Sequence, residues 1–219
     1  MSQPSALRLL GRKLRSPVEM RRYVEQPIDI EVSVQEALKK SMYNADDPAR
    51  RFMGPQELMQ FWEEFPIEKI PAFHNYSSSE IQTIEKEFLR VLSIAVFIGF
   101  DLKRFRPVFL RGGLDDASLF YHAEQLSELG AAANAFVDDQ YMFKPEIIEQ
   151  RTFNHPQRVP SKHRLPFIEK SDLMGSGGFG HFTRRKVAPG CFQRLGDDKL
   201  DVISQNVGLN VPHSSSQYS

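Results

Sequence analysis

Cysteine is nearly absent from this chain. Cys191 is the single one among 219 residues. It can form no internal disulfide, and it has no Cys or His at ligand spacing to share a zinc ion. That leaves a reduced thiol of the intracellular kind. Net charge is also missing: 28 Lys and Arg balance 28 Asp and Glu. The balance removes any general pull toward nucleic acid or an anionic membrane, and with it a margin of solubility. No secretory apolar core opens the chain. The most apolar run, Phe88 to Phe100, is broken by Arg90 and is too short to cross a bilayer. It suits a buried helix. No repeat of fixed period is visible. The six histidines (74, 122, 155, 163, 181 and 213) show no ligand spacing. The acid pairs Glu63-Glu64, Asp115-Asp116, Asp138-Asp139 and Asp197-Asp198 are adjacent in sequence. On a helix such neighbours point about 100° apart, so caps and solvated faces explain them better than a shared site.

What is present can still build a core, because 41% of residues are hydrophobic and 11% aromatic. The pattern predicts a mainly α protein. Residues 1–30 read as a loosely ordered basic N-terminus. Its first eighteen residues hold Arg8, Arg12, Lys13 and Arg15 among leucines and no acid, which is also the look of a mitochondrial transit peptide. Gly11 and Pro17 shorten any helix there, and the cytoplasm or nucleus is the default compartment. Residues 31–150 read as a helical domain. Ser33 and Glu36 have capping-box spacing, with Val34, Ala37, Leu38 and Met42 following at helical intervals. Pro55 opens a second helix through Leu58, Met59, Trp62 and Phe65, and Pro66 closes it. The clearest helix is 78–98, capped by Ser77 or Ser78 with Glu80 in its first turn. Asp115 or Asp116 can cap a further helix through Leu129, and Gly130 divides it from another over 131–141. Residues 151–164 read as a basic, proline-containing solvated linker. Residues 165–190 read as a strand, a glycine turn and a second strand ended by Pro189-Gly190. Residues 191–219 read as an irregular or disordered tail.

One motif carries chemistry. Met174-Gly175-Ser176-Gly177-Gly178-Phe179-Gly180-His181-Phe182 fits G-x-G-x-x-G. Two folds use that spacing. In a dinucleotide site the glycines lead from a strand into a helix that holds pyrophosphate. Here Thr183 to Val187 alternates like a strand and Pro189 blocks a helix. Asp201 lies 21 residues past Gly180 but outside any βαβ context. The strand–turn–strand form belongs to protein kinases, where the backbone itself must approach the phosphates and a Cβ would push it away. Phe179 at the tip can fold over the phosphates. Phe182 stands where the kinase pattern has Val against the adenine, and it fills that space more tightly.

Around this loop lie Arg164-Leu165-Pro166-Phe167-Ile168-Glu169-Lys170 and Arg185-Lys186-Val187-Ala188-Pro189-Gly190. Upstream stand Phe88 to Gly99, Phe105-Arg106, Leu114 to Leu119, and Gln140-Tyr141-Met142-Phe143 with Pro145. Together, over roughly residues 50–190, they resemble the junction between the helical N-terminal region and the kinase domain of filamentous-fungal serine/threonine protein kinases. The resemblance implies a hairpin like the first two strands of a kinase N-lobe. It implies ATP and Mg2+ as cofactors, and phosphate-loop roles for Met174, Gly175, Gly177, Phe179, Gly180 and Phe182. No catalytic or metal-binding residue can be assigned. The third-strand pattern V-A-I-K is missing: Lys199 is 19 residues past Gly180, but Asp197-Asp198 precede it. His163-Arg164 is followed by Leu165, no D-F-G occurs, and Val187-Ala188-Pro189-Gly190 is not A-P-E. Phosphoryl transfer needs a base, a lysine and metal-binding residues held together. The expectation is a truncated or degenerate kinase-like chain unable to phosphorylate. The alternative is a helical interaction module over 33–145 that binds a protein partner, with a vestigial kinase-like end. Neither reading calls for nucleic acid or a membrane span.

Overall fold

A computed structural model of the chain describes residues 30–149, 159–168, 172–177, 180–194 and 205–211. The basic N-terminus with its targeting alternative, the first part of the linker, Phe179 and Lys199 lie outside them.

Five α-helices lie among the described residues. Helix α1 is Ile30–Ser41, α2 is Pro55–Glu64, α3 is Ser78–Glu87, α4 is Leu89–Phe97 and α5 is Ala132–Phe143. Helix α1 is already formed at Ile30, so Ser33 lies inside it and does not cap it. The buried positions Val34 and Leu38 are those expected from the spacing. Helix α2 starts at Pro55 and buries Leu58, Phe61 and Trp62, whereas Met59 is 59% exposed. Met59 is one residue past Leu58, and a 100° step carries it off the buried face.

The single helix expected over 78–98 is two. Its start is as read: Ser77 accepts from the Glu80 amide while the Glu80 carboxylate accepts from the Ser77 amide, a complete capping box. At Phe88 the backbone leaves helical geometry, with φ −131° and ψ 14°. The cause is Asp116. Its carboxylate takes the amides of Arg90 and Val91 at 2.9 and 2.8 Å, two donors that a continuous helix would satisfy itself. Helix α4 then buries every residue from Val91 to Val96 and forms the centre of the core, against α1 and α5.

The helix expected over 115–129 is absent. The chain there makes turns and one short 3-10 helix, Ser127–Leu129. Its polar groups find other partners. Asp115 accepts from the Ser118 amide, and the buried Gln140 side chain accepts from the Tyr121 amide and donates to the Tyr121 carbonyl. Side chains that bond the backbone compete with helix formation. Leu119, Tyr121, Leu126 and Leu129 still enter the core. Aromatic rings interlock at its centre: Phe105 and Phe109 lie 4.9 Å apart, and Phe109 lies 5.7 Å from Phe136.

Two small sheets follow. Strands β1 (Ile148–Glu149) and β4 (Phe192–Gln193) pair in parallel. Strands β2 (Asp172–Gly177), β3 (Gly180–Val187) and β5 (Gln205–Val211) form an antiparallel sheet with β3 in the middle. Strand β5 stands where irregular chain was expected. Val207, Leu209 and Val211 recur every second residue, a period of two that the surrounding asparagines and glycine masked in the sequence.

A second, smaller core joins sheet to helices. Phe52, Val187, Ala188 and Cys191 are buried together, with Tyr43, Ile148, Phe167, Ile168 and Phe192 packed around them. At the end of the expected linker Pro160 to Lys162 are exposed, and His163 and Arg164 contact the body. His163 pairs with Glu146, its ring lies 4.5 Å from Phe120, and Arg164 donates to the Ala49 carbonyl at 2.8 Å. A basic residue can bury its flat or aliphatic part while its charge finds a partner, so charge alone did not keep these two residues in water.

Candidate functional site

The glycine motif forms a β-hairpin. In register, Leu173 faces Thr183, Gly175 faces Phe182, Ser176 faces His181 and Gly177 faces Gly180. The register slips by one between Leu173 and Gly175. Met174 is the extra residue, and its side chain is 63% exposed. A bulge of this kind bends a strand and re-aims its side chains. The last pair, Gly177 with Gly180, leaves Gly178 and Phe179 as the connection, both outside the described residues.

Gly175 is informative because no contact among the described residues demands it. Its φ is not in the left-handed region, and a Cβ built on it would meet no atom within 4 Å. Neither a left-handed φ nor packing against the described residues explains a glycine there. A bare backbone facing open space is what a ligand that must touch the main chain needs.

The base of the hairpin is fixed. Val187 pairs with Phe167, Ile168 donates to the Lys186 carbonyl, and Ala188 donates to the Pro166 carbonyl. Pro189-Gly190 then turns the chain as the sequence indicates. Gly190 has φ +72°, and a Cβ there would lie 3.6 Å from Pro55. The hairpin therefore projects from the helical body on a buried root.

Of the residues assigned to the phosphate loop, Met174, Gly175 and Gly177 lie on β2, and Gly180 and Phe182 on β3. The strand that follows Gly180 occupies the place where a dinucleotide fold would begin a helix. The third strand, Gln-Asn-Val-Gly-Leu-Asn-Val, contains no lysine. Among the described residues no three His, Cys, Asp or Glu side chains are grouped to hold a metal ion. No helix among them is long and apolar enough to cross a membrane.

Nearby titratable groups are buried rather than activated. Desolvation, with Glu57 adding to it, pushes the Cys191 thiol up to about 12, the opposite of a reactive thiolate. Burial also raises the Tyr43 hydroxyl, which donates to Glu57. Arg185 is lowered, first by burial and then by the charge of Arg50. The approach of Arg50, Arg164 and Arg185 at the hairpin root had no signal in the sequence, since more than a hundred residues separate the first from the others.

No family model matches the chain, and neither a curated protein nor a solved structure matches it.

Proposed function

We propose that this chain is a kinase-like phosphate-loop hairpin carried on a helical body, able to contact a nucleotide phosphate but not to transfer it. The observation that carries the reading is Gly175: an extended glycine with open space above it, on a strand that pairs across the glycine motif with a second strand. Glycines at such positions let backbone amides reach phosphate oxygens. The resemblance to filamentous-fungal serine/threonine kinases supplies ATP with Mg2+ as the ligand and supports Met174, Gly175, Gly177, Phe179, Gly180 and Phe182 as its contacts. The missing lysine on the third strand supports loss of transfer.

Equilibrium dialysis with Mg·ATP tests this. The wild-type chain retains nucleotide, and Gly177→Val weakens retention at least tenfold, because a branched side chain occupies the phosphate path. Equal retention by both proteins, or none by either, removes the hairpin as a nucleotide site. Magnesium-dependent phosphotransfer that Gly177→Val abolishes would overturn the incompetence.

The second reading is a helical module that binds a protein partner. The first turn of α1 favours it: Ile30 and Val32 are 43% and 52% exposed. Val32 borders a cavity of about 140 Å3 lined also by Gln35, Val96, Phe100 and Leu102. A pull-down in which Val32→Glu recovers the same proteins as wild type would count against it.

A further inference from the structure

Three arginines from distant parts of the sequence gather where the hairpin enters the body. Arg185 sits on the buried-root half of β3, two residues before Val187 and on the same face. Its guanidinium lies 5.4 Å from the centre of the Phe167 ring. The Phe167 carbonyl accepts from the Asn44 side-chain amide at 3.1 Å, and the same amide group donates to the Arg50 carbonyl at 3.1 Å. Asn44 thus ties the backbone of Arg50 to the backbone of Phe167, whose ring Arg185 covers. Arg164 closes the group by donating to the carbonyl of Ala49, next to Arg50.

This cluster is short of acceptors. Among the described residues none of the three arginines makes an ion pair. The Nε donors of Arg164 and Arg185 are buried without a hydrogen-bond partner. Two acids stand nearby, and neither forms an ion pair with the group among the described residues. Asp47 accepts from the Ala49 amide in its own turn. Asp139 lies toward Arg164 and Arg51, and burial followed by the neighbouring Asp138 raises its carboxyl. Arg51 donates to the Ala45 carbonyl. The charge of Arg50 acts unfavourably on Arg185.

We propose that Arg50, Arg164 and Arg185 form a binding site for a phosphate monoester, separate from the glycine loop. Guanidinium groups present planar pairs of donors that match phosphate oxygens, and a dianion balances two of them at once. The site lies five residues along β3 from Gly180, about 17 Å at strand rise. It therefore does not depend on the nucleotide reading of the hairpin tip. A nucleic acid is the poorer fit. It needs cations spread along a groove with stacking rings, whereas these three stand at the hairpin root, where Arg185 already covers the Phe167 ring, in a chain with no net charge.

The test uses the full chain and four probes at matched ionic strength: inorganic phosphate, phosphoserine, a phosphoserine peptide and a single-stranded oligonucleotide. Phosphate and phosphoserine are expected to raise the melting temperature relative to chloride. Arg185→Met and Arg50→Gln should each weaken phosphoserine binding at least tenfold. Arg50 is in a turn, so its variant keeps the test valid if the loss of Arg185 impairs folding. Lys39→Gln, on the remote α1, should change nothing. Binding of free phosphoserine as tight as that of the peptide marks a metabolite site, and peptide binding at least tenfold tighter marks a phosphorylated protein partner. No shift with either phosphate probe overturns the proposal. So does equal binding of oligonucleotide and phosphoserine, or a loss with Lys39→Gln as large as with Arg50→Gln. Gly177→Val should leave all of these results unchanged.

Discussion

Asp116→Ala should unfold the molecule more readily than its place in an irregular turn would indicate. Asp116 accepts from Arg90 and Val91 at the start of α4, and its own amide donates to the Glu87 carbonyl at 2.8 Å. Phe88, which flanks the helix, offers no side-chain cap. Removing the carboxylate leaves two amides without acceptors. Val91 is fully buried, so water cannot replace the lost partner there, while Arg90 is partly exposed. A buried unsatisfied donor costs about 1–3 kcal/mol, and loss of a helix cap costs about 0.5–2 kcal/mol. With Val91 near the top of the first range and Arg90 near the bottom, the expected destabilisation is about 3 kcal/mol. For a chain of this size that is roughly 6–12 °C in melting temperature. Urea denaturation followed by circular dichroism measures it. A loss under about 0.5 kcal/mol, the usual range for a neutral surface substitution, would refute the claim that Asp116 divides the two helices.

The same residue has a pH signature. Burial is the main cause that raises its carboxyl above the ordinary value, and the hydrogen bonds from the Arg90 and Val91 amides, with the Arg90 charge, only partly oppose it. The folded state therefore holds the proton more strongly than the unfolded state. This contribution to stability is full below the unfolded value and is lost as pH rises through the folded one. The stability of wild type minus that of Asp116→Asn should fall as pH rises above the ordinary carboxylate range. A difference that grows would contradict the assignment.

Gln140→Leu should cost about 2–4 kcal/mol, because the Tyr121 amide and carbonyl both lose their partner inside the core; chemical denaturation reads this directly, and a neutral result would mean the Tyr121 turn finds other partners. Cys191, whose thiol is pushed up to about 12, should resist thiol reagents at pH 8 in the native protein and react within minutes once urea exposes it. Fast native labelling would mean that the small core over β3 opens readily.

The sequence spoke most clearly where local spacing was enough. The capping box at Ser77 and Glu80, Pro55 at the start of α2 and the glycine motif between two extended segments all depend on near neighbours. The same is true of the apolar run that became α4. It spoke least where a distant residue decides. Nothing around Phe88 announces a break, because the carboxylate that causes it stands 26 residues away in Arg90's bond. The expected helix over 115–129 lost to Gln140, whose amide serves a turn 19 residues earlier. Strand β5 is weak by composition and is held by a full register with β3, from His181 opposite Val211 to Val187 opposite Gln205. The arginine cluster has no sequence signal, since Arg50 is brought to the others by long-range bonds, from Asn44 to the Phe167 carbonyl and from Arg164 to the Ala49 carbonyl.

The most direct test of the central claim is an amide NMR titration of the isotope-labelled chain with a non-hydrolysable ATP analogue and Mg2+. The account requires the largest shifts at Gly175, Gly177 and Gly180, with the amides of α1 to α5 almost unmoved. Shifts spread over the helices, or none at the three glycines at saturating nucleotide, would contradict it.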